Sequence, residues 1–394
     1  MKRFAILAAM VALATSSADA CEICRGMVAD RSTLRQTALQ ARYVYAGTLS
    51  NPRINPGGLA NASATDFTIN QMIKGNAPPR KDQKQITIPR YLPVDPKQPA
   101  QYLVFCDVDN DGRLDVYQGT PLKSPALIEY LKEAIEIDAG STDKVLEHAG
   151  KYLDHVDPDL ASEAFLEFAK ANDADVLRAS KRLAPDKVRK LLDDAKTPQE
   201  RMGLFVSMLG ACGSAEDAAR FQQLLAHPGE RFRAAQSGLY AGYIMLQPAE
   251  GWKTLQATLA DPKRPYTERV AALTALRFFY NADPKAVRSQ AVAGLQSLVT
   301  QDDLADYAIE DMRKWQIWEL SSAVVAQYGK KGFDAPLMRR AILRYALSCP
   351  DPNAKTLVTS VRATKPDLVA DVEESLERER LPAKPEKPYN TSNR

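Results

Sequence analysis

DPKRPYTERVAALTALRFFYNADPKAVRSQAVAGLQSL, residues 261–298, reads as two successive helical units, each opened by an Asp-Pro pair, Asp261-Pro262 and Asp283-Pro284. After the first pair, Tyr266, Val270, Leu273, Leu276 and Tyr280 recur at helical spacing; after the second, Val287, Ala291, Leu295 and Leu298 do the same. Between them stand Ala271, Ala272, Ala275, Ala293 and Gly294, small enough to let neighbouring helices approach closely. A helix with one apolar stripe cannot bury it alone, so units of this kind stack into arrays.

The same pattern extends outward from Ser124 to about residue 380, as short helical segments alternating with turns. Pro158, Pro198, Pro228, Pro248, Pro284 and Pro352 stand at or near helix starts, where a missing N–H is harmless. Asp157-Pro158 and Asp351-Pro352 repeat the pairing at uneven intervals, so no single period emerges. Ser124-Pro125 opens a helix to about Ile137, which fits either the helical part or the module before it.

Residues 21–123 read differently. Arg42–Ser50, Asp66–Ile73, Gln85–Ile88 and Tyr102–Cys106 are rich in Val, Ile, Thr, Phe and Tyr, and Phe67, Ile69 and Ile73 alternate with polar neighbours. Asn51–Ala64 is a long Pro- and Gly-containing loop, and one amphipathic helix is predicted around Asp30–Ala41. Short strands plus one helix predict a small closed or partly closed barrel, a form that removes exposed strand edges.

The ends and the charge balance bound the function. Lys2 and Arg3, the apolar run Phe4–Ala14 and Ala18-Asp19-Ala20 form a leader over residues 1–20 with an A-x-A cleavage site, so the mature chain is expected outside the cytoplasm, periplasmic or extracellular. Cys21 follows directly, as in bacterial lipoproteins. Ala18 stands where their lipobox prefers Leu, so ordinary cleavage is the reading and a lipid anchor at Cys21 the alternative. No other segment is apolar enough to span a bilayer. Residues 381–394 form a polar, Pro-rich tail. Lys plus Arg number 52 against 49 acidic residues, which gives no basis for a nucleic-acid partner.

Several stretches carry resemblances. Cys21-Glu-Ile-Cys24, the YVYAGTL strand, FTINQMIKG with its Lys74-Gly75, and the Gln101-Tyr-Leu-Val-Phe strand together resemble the netrin-like OB barrel of the tissue inhibitors of metalloproteinases. Those inhibitors carry Cys-x-Cys and two distal partner cysteines, whereas this chain has Cys-x-x-Cys and only Cys106 in the module. The Asp-Pro…Val-Arg…Ala…Leu pattern of Asp283–Leu295 resembles HEAT repeats. LASEAFLEFAKA (160–171), LLAHP with GLYAGYIML (224–246), AIEDMRKWQIWEL (308–320) and RRAILRYALSCP (339–350) resemble a bacterial family of predicted secreted proteins without assigned activity. The combined expectation is a multidomain α+β chain, an OB-like barrel followed by a mostly helical HEAT-like solenoid.

Candidate sites follow, each with a plainer reading beside it. Asp107, Asp109, Asp111 and Asp115 place carboxylates at calcium-loop spacing with Gly112 at the turn, but Gln118 replaces the bidentate Glu of an EF-hand and the flanks read as strands. A hairpin turn without an ion is the plainer reading, and calcium the only cofactor in view. Asp302, Asp306 and Glu310 fall at i, i+4 and i+8, a stripe for a cation or a basic partner, or simply a solvated helix face. Trp315 and Trp318, beside Arg313 and Lys314, read as an interaction hot spot or as core.

Cys212 and Cys349 lie in apolar helical runs and read as buried thiols, leaving Cys21, Cys24 and Cys106. Cys24–Cys106 is the expected disulfide, Cys21–Cys106 its alternative. The three histidines, His148, His155 and His227, stand outside any zinc-protease motif, and the first two read as surface residues. No catalytic motif is found. The expected function is an exported scaffold that binds a protein through its helical array. The alternative, implied by the inhibitor resemblance, is a terminal Cys21 whose amine and carbonyl chelate a protease zinc.

Overall fold

Asp-Pro pairs work through the aspartate as much as through the proline. Asp157, Asp261, Asp283 and Asp351 each accept, on Oδ1, the N–H of the residue two positions on, at 2.9, 2.9, 3.1 and 2.8 Å. At Asp157 and Asp351 the carboxylate satisfies a donor that the start of a helix leaves over, whereas Asp261 and Asp283 brace turns ahead of helices that begin at Tyr266 and Arg288. The computed structural model describes residues 20–24, 31–54, 63–75, 83–95, 97–109 and 112–381. The leader up to residue 19, residues 55–62 of the long loop, Asp111 and the tail from residue 382 lie outside them.

The chain is α+β: one five-stranded antiparallel sheet near the amino end, then helices. A short 3-10 turn, Glu22–Cys24, and α1 (Leu34–Gln40) come first. The strands are β1 (Tyr43–Arg53), β2 (Ala64–Lys74), β3 (Gln85–Ile88), β4 (Gln101–Val108) and β5 (Leu114–Pro121), in the order β3-β2-β1-β4-β5. Alternation sorts the side chains. Val44, Ala46, Leu103 and Phe105 face α1 and α2 (Ala126–Glu136), while Tyr43, Tyr45, Leu49, Phe67, Val104 and Cys106 fill the other face. Register shifts within β1 bend the sheet, and the two edge strands β3 and β5 approach each other. The helix after Ser124 therefore packs on the sheet.

Further helices follow: α3 (Thr142–Gly150), α4 (Pro158–Lys170), α5 (Asp173–Ser180), α6 (Pro185–Asp193), α7 (Met202–Cys212), α8 (Ala215–Ala226), α9 (Gly229–Phe232) and α10 (Gln236–Leu246). The last are α11 (Pro248–Ala260), α12 (Tyr266–Ala282), α13 (Arg288–Leu298), α14 (Ala305–Lys314), α15 (Ser321–Val325), α16 (Pro336–Ser348), α17 (Pro352–Thr364) and α18 (Pro366–Arg380). The chain divides into two compact units, Met1–Asp217 with Glu230–Gly238, and Ala218–Gly229 with Leu239–Arg394. The first holds the sheet and the earlier helices together.

In the first unit α1 is a seven-residue helix, too short to persist alone. It is held at both ends. Thr33 and Gln36 form a capping box at its start, and Lys74 Nζ from β2 donates to the carbonyls of Ala38, Leu39 and Ala41 at 2.7, 2.8 and 2.7 Å. Arg35 on the same helix reaches the last carbonyls of α2, with Nε 2.9 Å from Ala134 O.

In the second unit helices pack on the neighbour two positions away: α11 on α13, α14 on α16, α15 on α17 and α16 on α18. Two layers result, and the stripe of residues 261–298 fills the space between them, with Leu273, Leu276, Ala291, Leu295 and Leu298 all buried. Polar links recur at 31–35 residues: Gln256 to Gln290 O, Arg277 to Asp311, Arg288 to Glu319, Arg340 to Asp371 and Arg344 to Glu310. This spacing recurs although the Asp-Pro pairs are uneven.

Leu273→Asp places an unpaired charge in that interior and is expected to destabilise the second unit by roughly 3–5 kcal/mol. Circular dichroism during thermal melting checks it: helix should be lost at lower temperature than in the parent, and an unchanged curve would contradict the packing.

Candidate functional site

The sequence-predicted residues come first. Asp107 and Asp115 are cross-strand neighbours on the β4–β5 hairpin. Asp109 Oδ1 accepts the Arg113 N–H at 2.7 Å and Asp109 N–H donates to Arg113 O at 2.8 Å, while Gly112, at φ +73°, closes the turn. The Asp107 carboxylate accepts the Arg42 N–H at 3.3 Å. Asp109 thus serves the backbone of its own hairpin, and Asp107 that of the residue just before β1. Among the described residues no three His, Cys, Asp or Glu side chains are grouped to hold a metal.

Asp302, Asp306 and Glu310 do not share one helix face. α14 starts at Ala305, so Asp302 lies in the preceding turn, beside Gly332. Glu310 sits between Arg313 and Arg344, at 2.6 and 3.2 Å; burial pushes its carboxyl up, but the two guanidiniums hold it below its ordinary value. Trp315 and Trp318 have separate partners. Trp315 stacks on Tyr280 at 3.8 Å, and Trp318 meets the Tyr345 ring edge-on at 5.2 Å.

The sulfurs of Cys21 and Cys24 lie 3.1 Å apart, both fully buried. Cys106 stands in β4 among Tyr43, Tyr45 and Val104, where burial, then Asp115 and Asp107, push its thiol up to about 12. Glu22 N–H donates to Asp173 Oδ1 at 2.9 Å. A Cys21 amine and carbonyl would reach a protease zinc only after this segment left its seat.

His148 corrects the sequence reading: it is 5% exposed, not a surface residue. Its Nε2 donates to Tyr130 O at 3.1 Å and its ring stacks on Tyr130 at 4.8 Å. Burial lowers its basicity, which the Tyr130 carbonyl and Glu133 oppose.

Beside Tyr130 lies a buried carboxylate pair that the sequence did not single out. Glu163 and Glu167, one turn apart on α4, grip the start of α1. Glu163 Oε1 accepts the Leu34 N–H at 2.6 Å, and the nearby Thr33 hydroxyl eases the burial of Glu167. Glu167 Oε1 and the Tyr130 hydroxyl are buried without a protein partner. Burial, reinforced by Glu167, drives the Glu163 carboxyl up to about 8 against the pull of the Leu34 and Arg35 N–H groups.

The second unit presents the exposed counterpart. Tyr266 at the start of α12 and Tyr307 on α14 are 44% and 46% exposed, and each phenol lies near enough to influence the other. Burial, then Tyr307, Asp306 and Asp303, raise the Tyr266 phenol. The Arg277 guanidinium lies 5.8 Å from the Tyr307 ring centroid. Asp303 also borders a cleft of about 490 Å³ lined by Pro262, Ser297, Thr300 and Asp302. Its wall is cross-braced: Arg269 donates to Gln301 Oε1 at 2.6 Å and to Asp303 Oδ1 at 2.9 Å. Phenol faces, carboxylates and a guanidinium on a braced surface are the chemistry of recognition.

The carboxylate pair makes stability depend on pH. Unfolded, Glu163 releases its proton near its ordinary 4.5; folded, near 8. Between those values the folded form holds the extra proton, so this contribution is complete below about 4.5 and lost as pH rises towards 8. Glu163→Gln, which cannot ionise, should flatten the fall in stability between pH 5 and 8 by an amount on the order of 3 kcal/mol. Urea titrations of parent and variant at several pH values measure it; parallel pH curves would contradict it.

No described helix is long and apolar enough to cross a membrane. No protein-family model, no curated protein and no solved structure matches this chain, so the chemistry of the site rests on its own residues.

Proposed function

We propose that this chain is an exported scaffold that binds a protein through the second helical unit, with the Tyr266–Tyr307 pair as the docking point. The observation that carries the reading is two neighbouring, half-exposed tyrosines contributed by different helices, flanked by Asp303 and Asp306. Tyrosine gives large contact area at small entropic penalty, and phenol faces beside carboxylates favour Lys or Arg on the partner. Export to the periplasm or beyond rests on the leader pattern of residues 1–20.

The finer fold names belong to the same proposal. The strand order β3-β2-β1-β4-β5 with approaching edges supports an OB-like barrel. Two layers of helices with links at 31–35 residues support a HEAT-like array.

The test compares immobilised parent with the Tyr266→Ala, Tyr307→Ala double variant, both incubated with the envelope and secreted fractions of the source cell. A partner held by the parent should be retained at least about tenfold less by the variant, as for loss of hot-spot side chains. It should also elute with added salt, because the carboxylates contribute by charge. Equal capture by both proteins, at equal helix content, would remove the docking point, and turnover of a captured molecule would replace the scaffold reading.

A further inference from the structure

The buried sulfurs at the amino end form a second site, independent of the docking face. Glu22–Cys24 is a 3-10 turn closed by Cys24 N–H to Cys21 O at 2.9 Å. In this geometry side chains three positions apart eclipse, so the turn itself stacks Cys21 on Cys24. Their sulfurs, 3.1 Å apart, are closer than two unbonded sulfur atoms in ordinary contact. The segment is seated in the first unit. Glu22 N–H donates to Asp173 Oδ1 on α5, and Ile23 packs over Gly203 on α7, where an added Cβ would lie 3.3 Å from Ile23 Cγ2.

We propose that Cys21 and Cys24 are a modification site that forms a disulfide with each other, and that this cross-link fixes the amino-terminal segment in its seat on α5 and α7. The reaction is thiol–disulfide exchange with an external low-molecular-weight or protein disulfide. One protein thiolate attacks that disulfide, giving a mixed disulfide and releasing one thiol. The second protein thiolate then attacks the mixed disulfide at the protein sulfur and releases the other thiol. Two protein thiols are oxidised, the external disulfide is reduced to two thiols, and the two protein S–H protons end on them.

Where exchange occurs follows from the seat. Burial, the Cys24 thiol and the Asp173 carboxylate all raise the Cys21 thiol, so the seated pair is unreactive. Exchange belongs to the open segment, and the closed turn then docks. Once docked, the bond is shielded from solvent, since both residues are fully buried. Cys106, in the core of the sheet, takes no part.

The experiment uses the purified full chain equilibrated with oxidised glutathione, unfolded, alkylated and digested with trypsin. Cleavage after Arg25, Lys97 and Arg113 places Cys106 in a different peptide from Cys21 and Cys24. The expected result is an amino-terminal peptide unalkylated and lighter by two hydrogens, with an alkylated Cys106 peptide. A peptide joining Cys106 to either amino-terminal cysteine overturns the proposal, as does full alkylation of all three. A second measurement follows the melting temperature with and without reductant. Reductant should lower it in the parent and in Cys106→Ala but leave Cys24→Ser unmoved. An equal reductant effect in Cys24→Ser overturns the proposal. Both readouts are independent of partner capture, so this proposal and the docking point fail separately.

Discussion

A helix with one apolar stripe is stable only where another helix covers it, and the second unit follows from that constraint. Leu273, Leu276, Leu295 and Leu298 are buried because the helices around them are present. The interior supplies the free energy, since each fully covered leucine contributes about 1.5–3 kcal/mol. Ion pairs such as Arg288–Glu319 and Arg340–Asp371 are about half exposed on both sides and contribute little stability. Their regular spacing suits them to fixing register: a slip of one helical turn would leave the leucines covered and break every link.

The first unit obeys a different constraint, set by backbone charge. α1 is too short to form unaided, and its ends expose N–H and carbonyl groups against the protein interior. Carboxylates from α4 meet the N–H end, and the Lys74 ammonium meets the carbonyl end. The ammonium lies where the helix dipole favours a positive charge, whereas the Glu163 carboxyl, held protonated up to about pH 8, serves the N–H as an acceptor. Lys74 is thereby partly desolvated, which lowers its basicity, with Asp107 opposing. Helix, sheet and α4 are joined through this one short element.

Periodicity made α12, α13 and the strands legible, because apolar spacing alone specifies them. It fixed the buried set at Leu273, Leu276 and Leu295 but misjudged how the second Asp-Pro pair begins its helix, which starts only at Arg288. The recurring spacing was hidden because successive links use different chemistry: Gln256 with Gln290 in one place, Arg277 with Asp311 in another, Tyr280 with Trp315 in a third. Spacing survives such changes, whereas motif matching does not. The acidic residues were poorly legible. Glu163 and Glu167, one turn apart, give no sign of burial in the sequence because only the start of α1 covers them, whereas Asp302 and Glu310 read as a stripe until the turn before α14 separates them. His148 belongs to the same class, since only a neighbouring carbonyl and ring make burial tolerable.

The molecule thus keeps its ionisable groups in two regimes. Inside the first unit, carboxylates are dehydrated, short of partners and tied to the backbone, so altering one disturbs the fold. On the second unit, Asp303 is held by Arg269, which keeps it below the ordinary carboxylate range and charged beside Tyr266 and Tyr307. The tyrosines contribute little to the interior, being nearly half exposed, yet the braced wall fixes their position. A surface whose geometry is set from beneath can vary its outward side chains without changing its fold. A stacked helical array permits this, because each added helix brings both a buried stripe and a new outward face.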